Sequence, residues 1–360
     1  MTDMSGSERM GKRILIVGPS WVGDMVMAQS LLKILKAQDP QCVIDVLGPA
    51  WSAPIIERMP EARRALTLRV GHGDLALRER WRFGRSLKGE YDQAIVLPRS
   101  LKSALVPWFA GVPVRVGFTG EQRYGILNQR RDLDKAVLDQ TVKRFVSLGL
   151  PKGEAYPPRE MPFPALRVDA DNQARLREAL DFAAVDLLDR PLVALMPGAE
   201  YGPAKQWPLA HFHATAQALV ERGYGVLVLG GPKDVNAGQQ VAGELPHTLN
   251  LCGKTALADA VDLLGMCEQV VSNDSGLMHV AAAVGVHVQG IYGSSSPRYT
   301  PPLTHNADIH WLALDCSPCF KRVCPLGHTD CLHQLSVTRV VKAIDTYRIE
   351  QSTILARETP

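Results

Sequence analysis

Two doubly wound α/β domains are what this sequence predicts, and three observations predict them. Short aliphatic runs alternate with stretches of helical periodicity along most of the chain. The length, 360 residues, suits two cores better than one. A proline-rich stretch, YPPREMPFP at residues 156–164, interrupts the alternation near the middle and reads as a linker. Strands that are apolar throughout belong to parallel sheets with helices on both faces. The expected arrangement is therefore a Rossmann-like domain over residues 12–165 and a second over 166–335, facing each other across a cleft. Residues 1–11 read as a disordered start, and residues 336–360 as a final helix packing back across the junction.

In the first half, RILIVG, VIDVLG, QAIVLP and VRVGF read as buried strands. MVMAQSLLKILKA, LKSALVPWFAG and AVLDQTVKRFVSLG carry apolar residues at three- and four-residue spacing and read as helices. In the second half, PLVALMPG, GVLVLGG, QVVSND and VQGIYG read as strands, and PLAHFHATAQALVERG and TALADAVDLLGMC as helices. Gly149 and Gly223 stand where helix-ending glycines belong. In open sheets of this kind, ligands bind beyond the carboxyl ends of the strands, so the loops after these runs carry the function.

Composition narrows the class. Hydrophobic residues make up 46% and charged residues 21%, a globular balance. No apolar run approaches the roughly 18–20 residues that cross a bilayer. The polar opening MTDMSGSERM lacks the apolar core of a signal peptide, so a cytoplasmic protein is expected. The net charge of +3 hides an asymmetry. Residues 1–165 carry 25 Lys and Arg against 17 Asp and Glu, and residues 166–360 carry 15 against 20. The first half either presents a solvated basic face or meets an anionic partner.

The first strand–helix corner, GPSWVGDM, spaces Gly18 and Gly23 as a phosphate-binding loop does, but Asp24 stands where the lysine would be. A carboxylate there repels phosphate. Asp24 reads either as a helix cap or as a general base that takes a proton from a substrate hydroxyl. In the second half, VSNDSGLMHVAAAVG runs a strand into Asn273 and Asp274 and opens a helix with Ser275 and Gly276. The first N–H groups of such a helix favour an anion, and Gly276 lets a phosphate approach. His279, four residues after Ser275, shares its helix face. It is either a boundary residue or part of the site. Lys205, in the loop MPGAEYGPAKQWP, is either a surface lysine or a cation placed to neutralise a leaving diphosphate.

Seven cysteines without an export signal argue for reduced thiols or a metal. Cys316, Cys319, Cys324 and Cys331 form a C-x2-C-x4-C-x6-C array. Such an array suits a structural zinc, less readily an iron–sulfur cluster, but unliganded or redox-active thiols stay open.

Taken together, GPSWVGDMVMAQSLLK, SLKSALVPWFAGVPVRVGF, PGAEYGPAKQWP, SNDSGLMHVAAA and YGSSSPRYTPPL resemble the lipopolysaccharide heptosyltransferase II family, over about residues 12–305. The resemblance implies a GT-B fold within glycosyltransferase family 9. It implies transfer of heptose from ADP-L-glycero-D-manno-heptose to the first heptose of a heptosyl-Kdo-lipid A acceptor, with inversion and no cofactor or catalytic metal. Asp24 then matches the family's base, Lys205 its diphosphate lysine, and Asp274, Ser275, Gly276 and His279 its donor signature. Ser20, Gly23, Arg99 and Lys102 become the acceptor-side candidates, and the basic first half fits an anionic acceptor rather than nucleic acid. Peripheral contact with the cytoplasmic face of the inner membrane is expected, although no amphipathic anchor stands out. The cysteine array departs from the family's core pattern. A nucleotide-sugar epimerase of the same architecture, or a sugar-nucleotide-binding module without turnover, are the competing readings.

Overall fold

A computed structural model describes residues 11–71, 73–151 and 161–358. All but one residue of the expected disordered start, and most of the expected linker, lie outside the described residues. The chain divides into two compact units, Met1–Pro164 and Ala165–Pro360.

The first unit is built on six strands: β1 (Arg13–Val17), β2 (Val43–Gly48), β3 (Ala62–Thr67), β4 (Gln93–Val96), β5 (Val114–Phe118) and β6 (Gln129–Arg131). They lie in the order β3-β2-β1-β4-β5-β6, every pairing parallel. Helices α1 (Val22–Gln38), α2 (Ala53–Glu57), α3 (Leu77–Ser86), α4 (Leu101–Phe109) and α5 (Thr141–Gly149) complete it. Leu15, Val17, Ala94 and Val96 on the central strands form one core with Ala104 and Val106 of α4.

The second unit repeats the plan with β7 (Leu192–Met196), β8 (Gly225–Val228), β9 (Thr248–Asn250), β10 (Gln269–Asn273), β11 (His287–Tyr292) and β12 (Ala307–Trp311). Their order is β12-β11-β10-β7-β8-β9, again all parallel. Helices α6 (Ala170–Ala179), α7 (Leu209–Glu221), α8 (Val235–Ala242), α9 (Leu257–Leu264), α10 (Gly276–Ala283), α11 (Asp330–His333) and α12 (Val337–Glu358) accompany it. Counted from its own first strand, this sheet has the connectivity of the first. The strand order reverses between β1 and β4 in one unit and between β7 and β10 in the other, and such switch points are where doubly wound sheets hold ligands.

One local reading changes. The helix expected from AVLDQ begins only at Thr141, because Asp134 Oδ1 accepts the Ala136 N–H at 2.9 Å and holds the preceding residues in a turn. Gly149 is the last residue of α5, as expected, though without a positive φ. A Cβ there would lie 2.4 Å from Leu31 Cδ1, so the glycine lets α5 pack closely on α1. Gly223, with φ of +84°, does end α7 as expected. The final helix α12 packs on α7 within its own unit, burying Val340 and Ile344 in the core. Among the described residues, no helix is long and apolar enough to cross a membrane.

Candidate active site

At the first switch point the chain leaves β1 at Gly18, whose N–H donates to Leu47 O at 2.8 Å. A Cβ on Gly18 would lie 2.5 Å from Met25 Cε, so this glycine leaves room for the end of a core methionine. The cap position of α1 is Trp21, in extended backbone with no side-chain cap bond. Asp24 is the third helical residue, so the capping position proper is not its own. It is half-buried in the first turn, where a helix tolerates negative charge best. Ser20 is exposed at the bend before α1, and Gly23 is buried.

Arg99 and Lys102 follow the neighbouring strand β4. Arg99 is exposed with Nη2 3.4 Å from Thr119 O, and Lys102 is half-buried as the second residue of α4. The four expected acceptor-side residues, and Asp24 with them, thus lie in the turns and first helical turns after β1 and β4, the two strands that flank the reversal. One residue here gave no sequence signal. Arg123 is 2% exposed, and its guanidinium donates to Pro98 O at 2.8 Å and to Phe118 O. It ties the ends of β4 and β5 together, and burial brings its pKa down to about 10.

At the second switch point, Lys205 closes a short turn (Pro203–Lys205) after β7. Its Nζ lies 2.5 Å from Asp274 Oδ2, with the lysine side chain 17% and the aspartate 4% exposed. The pair is held from below by Trp207, which the motif reading passes over, and by Asn273, which it takes as a helix cap. Trp207 is fully buried, with its N–H on Asn273 Oδ1 at 2.9 Å and its Nε1 on Leu335 O at 3.0 Å. Asn273, the last residue of β10, also donates to Pro197 O at 2.7 Å. Asn273 therefore braces the lysine loop and does not cap α10. The W of KQWP, an aromatic set beside a loop cation, was the available signal for this anchor.

Ser275 takes the cap position of α10 in extended backbone without a side-chain cap bond, its hydroxyl 3.3 Å from Ser272 Oγ. The helix's first N–H groups are thus presented beyond β10, beside the buried Asp274. His279 is 5% exposed, and burial pushes its pKa down to about 4, against a pull upward from Asp274. It is a neutral imidazole at pH 7, and its Nδ1 has no partner among the described residues. The hydroxyls of Ser294 and Ser295, just after β11, are likewise buried and unpartnered among the described residues. Buried polar atoms left this way are costly, and they cluster where a ligand completes the bonding. An anion at this end of the sheet would meet a cation, helix N–H groups and hydroxyl donors together.

Cys316, Cys319, Cys324 and Cys331 are free thiols. Burial and the nearness of the other three push the Cys331 thiol up to about 11. Backbone N–H groups, that of Thr329 foremost, hold Cys324 below its usual value. Among the described residues no group of three or more His, Cys, Asp or Glu is set to hold a metal ion.

Residues 80–330 match the model of glycosyltransferase family 9 (heptosyltransferase). The chain belongs to glycosyltransferase family 9. The family 9 match takes in Arg99, Lys102, Lys205 and the Asp274–His279 run, while Asp24 lies ahead of it. Lipopolysaccharide heptosyltransferase 2 of Salmonella typhimurium is 42% identical over 347 residues, 94% of this chain and 99% of that enzyme. Lipooligosaccharide heptosyltransferase 2 of Haemophilus influenzae is 45% identical over 303 residues, 82% of this chain and 87% of the relative. The solved ADP-heptose LPS heptosyltransferase II of E. coli superposes with a TM-score of 0.84 at 38% identity, covering 94% of this chain and 99% of the other. The fold of this family 9 glycosyltransferase is thus the doubly wound GT-B type expected from its sequence.

Proposed function

We propose that this enzyme moves L-glycero-D-manno-heptose from ADP-heptose to the first heptose of the lipopolysaccharide inner core, inverting the anomeric carbon in one displacement. The observation that carries the reading is a chemical contrast between two switch points of identical topology. A carboxylate, Asp24, stands at the first, and a lysine paired with a buried aspartate beside a helix N-terminus stands at the second.

Asp24 takes the proton of the acceptor hydroxyl as that oxygen attacks the anomeric carbon and the bond to ADP lengthens. Lys205 and the first N–H groups of α10 stabilise the diphosphate charge that grows in the same transition state. Asp274 orients Lys205 and holds sugar hydroxyls. Ser275 and Gly276 line the approach of the diphosphate, and neutral His279 supplies a hydrogen bond without adding charge. No enzyme nucleophile is needed for a single inversion. The positive charge comes from Lys205 and α10, so the reading assigns no catalytic metal. Ser20, Gly23, Arg99 and Lys102 hold the acceptor, whose carboxylates and phosphates suit the basic first half. The relatives at 42% and 45% identity are lipopolysaccharide and lipooligosaccharide heptosyltransferases 2, which supports the acceptor, and the solved E. coli relative is an ADP-heptose LPS heptosyltransferase, which supports the donor.

A lipid-linked acceptor requires peripheral contact with the cytoplasmic face of the membrane, and α3 supports it. Leu77 and Trp81, 52% and 50% exposed, stand one turn apart, with exposed Arg78, Arg82 and Arg85 alongside. Apolar and basic residues in adjacent stripes suit an anionic lipid surface. The signal was in the sequence, hidden by the shortness of the helix.

The test is transfer from ADP-heptose to purified inner-core acceptors carrying no, one or two heptoses. Product from the one-heptose acceptor is the expected result. Product from the heptose-free acceptor, or isomerised ADP-heptose without acceptor, contradicts the reading.

A further inference from the structure

The cysteine-rich segment packs on the lysine loop, and that contact has a chemical consequence. Ala204, next to Lys205, donates its N–H to Arg322 O at 3.1 Å, and Tyr201 donates its hydroxyl to Phe320 O at 2.9 Å. Gly202, at φ +150°, makes the close approach feasible, because a Cβ there would lie 2.6 Å from Arg322 O. The segment therefore delivers an exposed arginine to the place where Lys205 stands. Lys205 Nζ lies 5.2 Å from the centre of the Tyr201 ring, and Arg322 Cζ lies 5.3 Å from the same centre.

The charge balance separates the two cations. Lys205 is neutralised by Asp274 at 2.5 Å. Arg322 has no acidic partner among the described residues. A neutral ion pair attracts a doubly charged diphosphate weakly, so the site needs a further positive charge. A guanidinium supplies it in the forked geometry that fits phosphate oxygens. The tyrosine ring holds that guanidinium in place by stacking, at low entropic cost.

We propose that Arg322 is a second diphosphate-binding cation of the donor site, carried there by the cysteine-rich segment. The proposal rests on the donor assignment above and extends it to a segment which that assignment left unused.

ADP binding by titration calorimetry, on the full chain, tests it. Arg322→Gln is expected to weaken ADP about tenfold, while Arg322→Lys recovers most of that loss. Adenosine, which lacks phosphate, should bind wild type and Arg322→Gln alike. Wild-type affinity for ADP should also fall more steeply with added salt than that of Arg322→Gln. A purely structural arginine would not move the salt dependence, and the backbone contact to Ala204 survives the substitution. The melting temperature, expected to stay within about 2 °C for an exposed side chain, reports any loss of fold. ADP binding by Arg322→Gln within twofold of wild type overturns the proposal. Wild type that binds no ADP overturns both this proposal and the donor assignment. ADP binding that depends on Arg322 in a chain that transfers no heptose overturns the function alone.

Discussion

The two sheets have one connectivity and opposite chemistry at the same topological position. After β1 the helix opens with a carboxylate in its first turn, and its glycine at position 18 accommodates a methionine. After β7 and β10 the corresponding loops bring a cation, a buried carboxylate and free helix N–H groups together. Topology thus decides where a ligand sits, and a few side chains decide its charge. On the proposed function, the first position supplies a base and the second a cradle for the leaving group.

The most severe way to break this contrast is to remove the carboxylate. Asp24→Asn is expected to lower the transfer rate by about 10³-fold while leaving ADP-heptose affinity unchanged. A parallel loss of donor affinity, measured by calorimetry, would place the donor at the wrong switch point. Removing the cation should cost less in rate but more in stability. Lys205→Gln strands Asp274 at 4% exposure, and an uncompensated buried charge costs about 3 kcal/mol. Urea unfolding should show that loss, with kcat/KM down by about 10²-fold. The double variant Lys205→Gln with Asp274→Asn should regain stability but not transfer.

The histidines sharpen the contrast in the acid range. Burial lowers the pKa of His279 to about 4, and that of His310, buried on edge strand β12, likewise. Between pH 6.5 and 4 the unfolded chain binds protons that the folded chain refuses, so stability falls as pH falls through that window. Each histidine accounts for on the order of 2–3 kcal/mol across it. Thermal melts from pH 7 to 4 should flatten for His279→Gln relative to wild type, and transfer should show no ionisation of His279 near neutrality. The smallest expected effect lies on α3. Trp81→Ala should change stability by less than about 0.5 kcal/mol, yet reduce sedimentation with anionic vesicles severalfold.

How much of this was legible follows from where each strand lies. Every strand read from the sequence is internal to its sheet. The four that were missed, β3, β6, β9 and β12, are the four edges. An edge strand is covered less completely: β6 has two exposed residues of three, and β9 has no fully buried one. Neither carries the aliphatic run that marks a central strand. Candidate residues were legible where a motif sits at a strand–helix corner, and Asp24, Lys205 and the Asp274–His279 run do stand at such corners. Residues that act by bracing were not, because Trp207, Asn273 and Arg123 are recruited by partners far away in the chain. The contact of Arg322 with the lysine loop spans more than a hundred residues and has no local signature at all.

The location of bound ADP tests the division of roles most directly. A crystal structure of the enzyme soaked with ADP is expected to show the diphosphate at the N-terminus of α10, within hydrogen-bond distance of Lys205. Density for the nucleotide beside Gly23 and Asp24 would contradict the account.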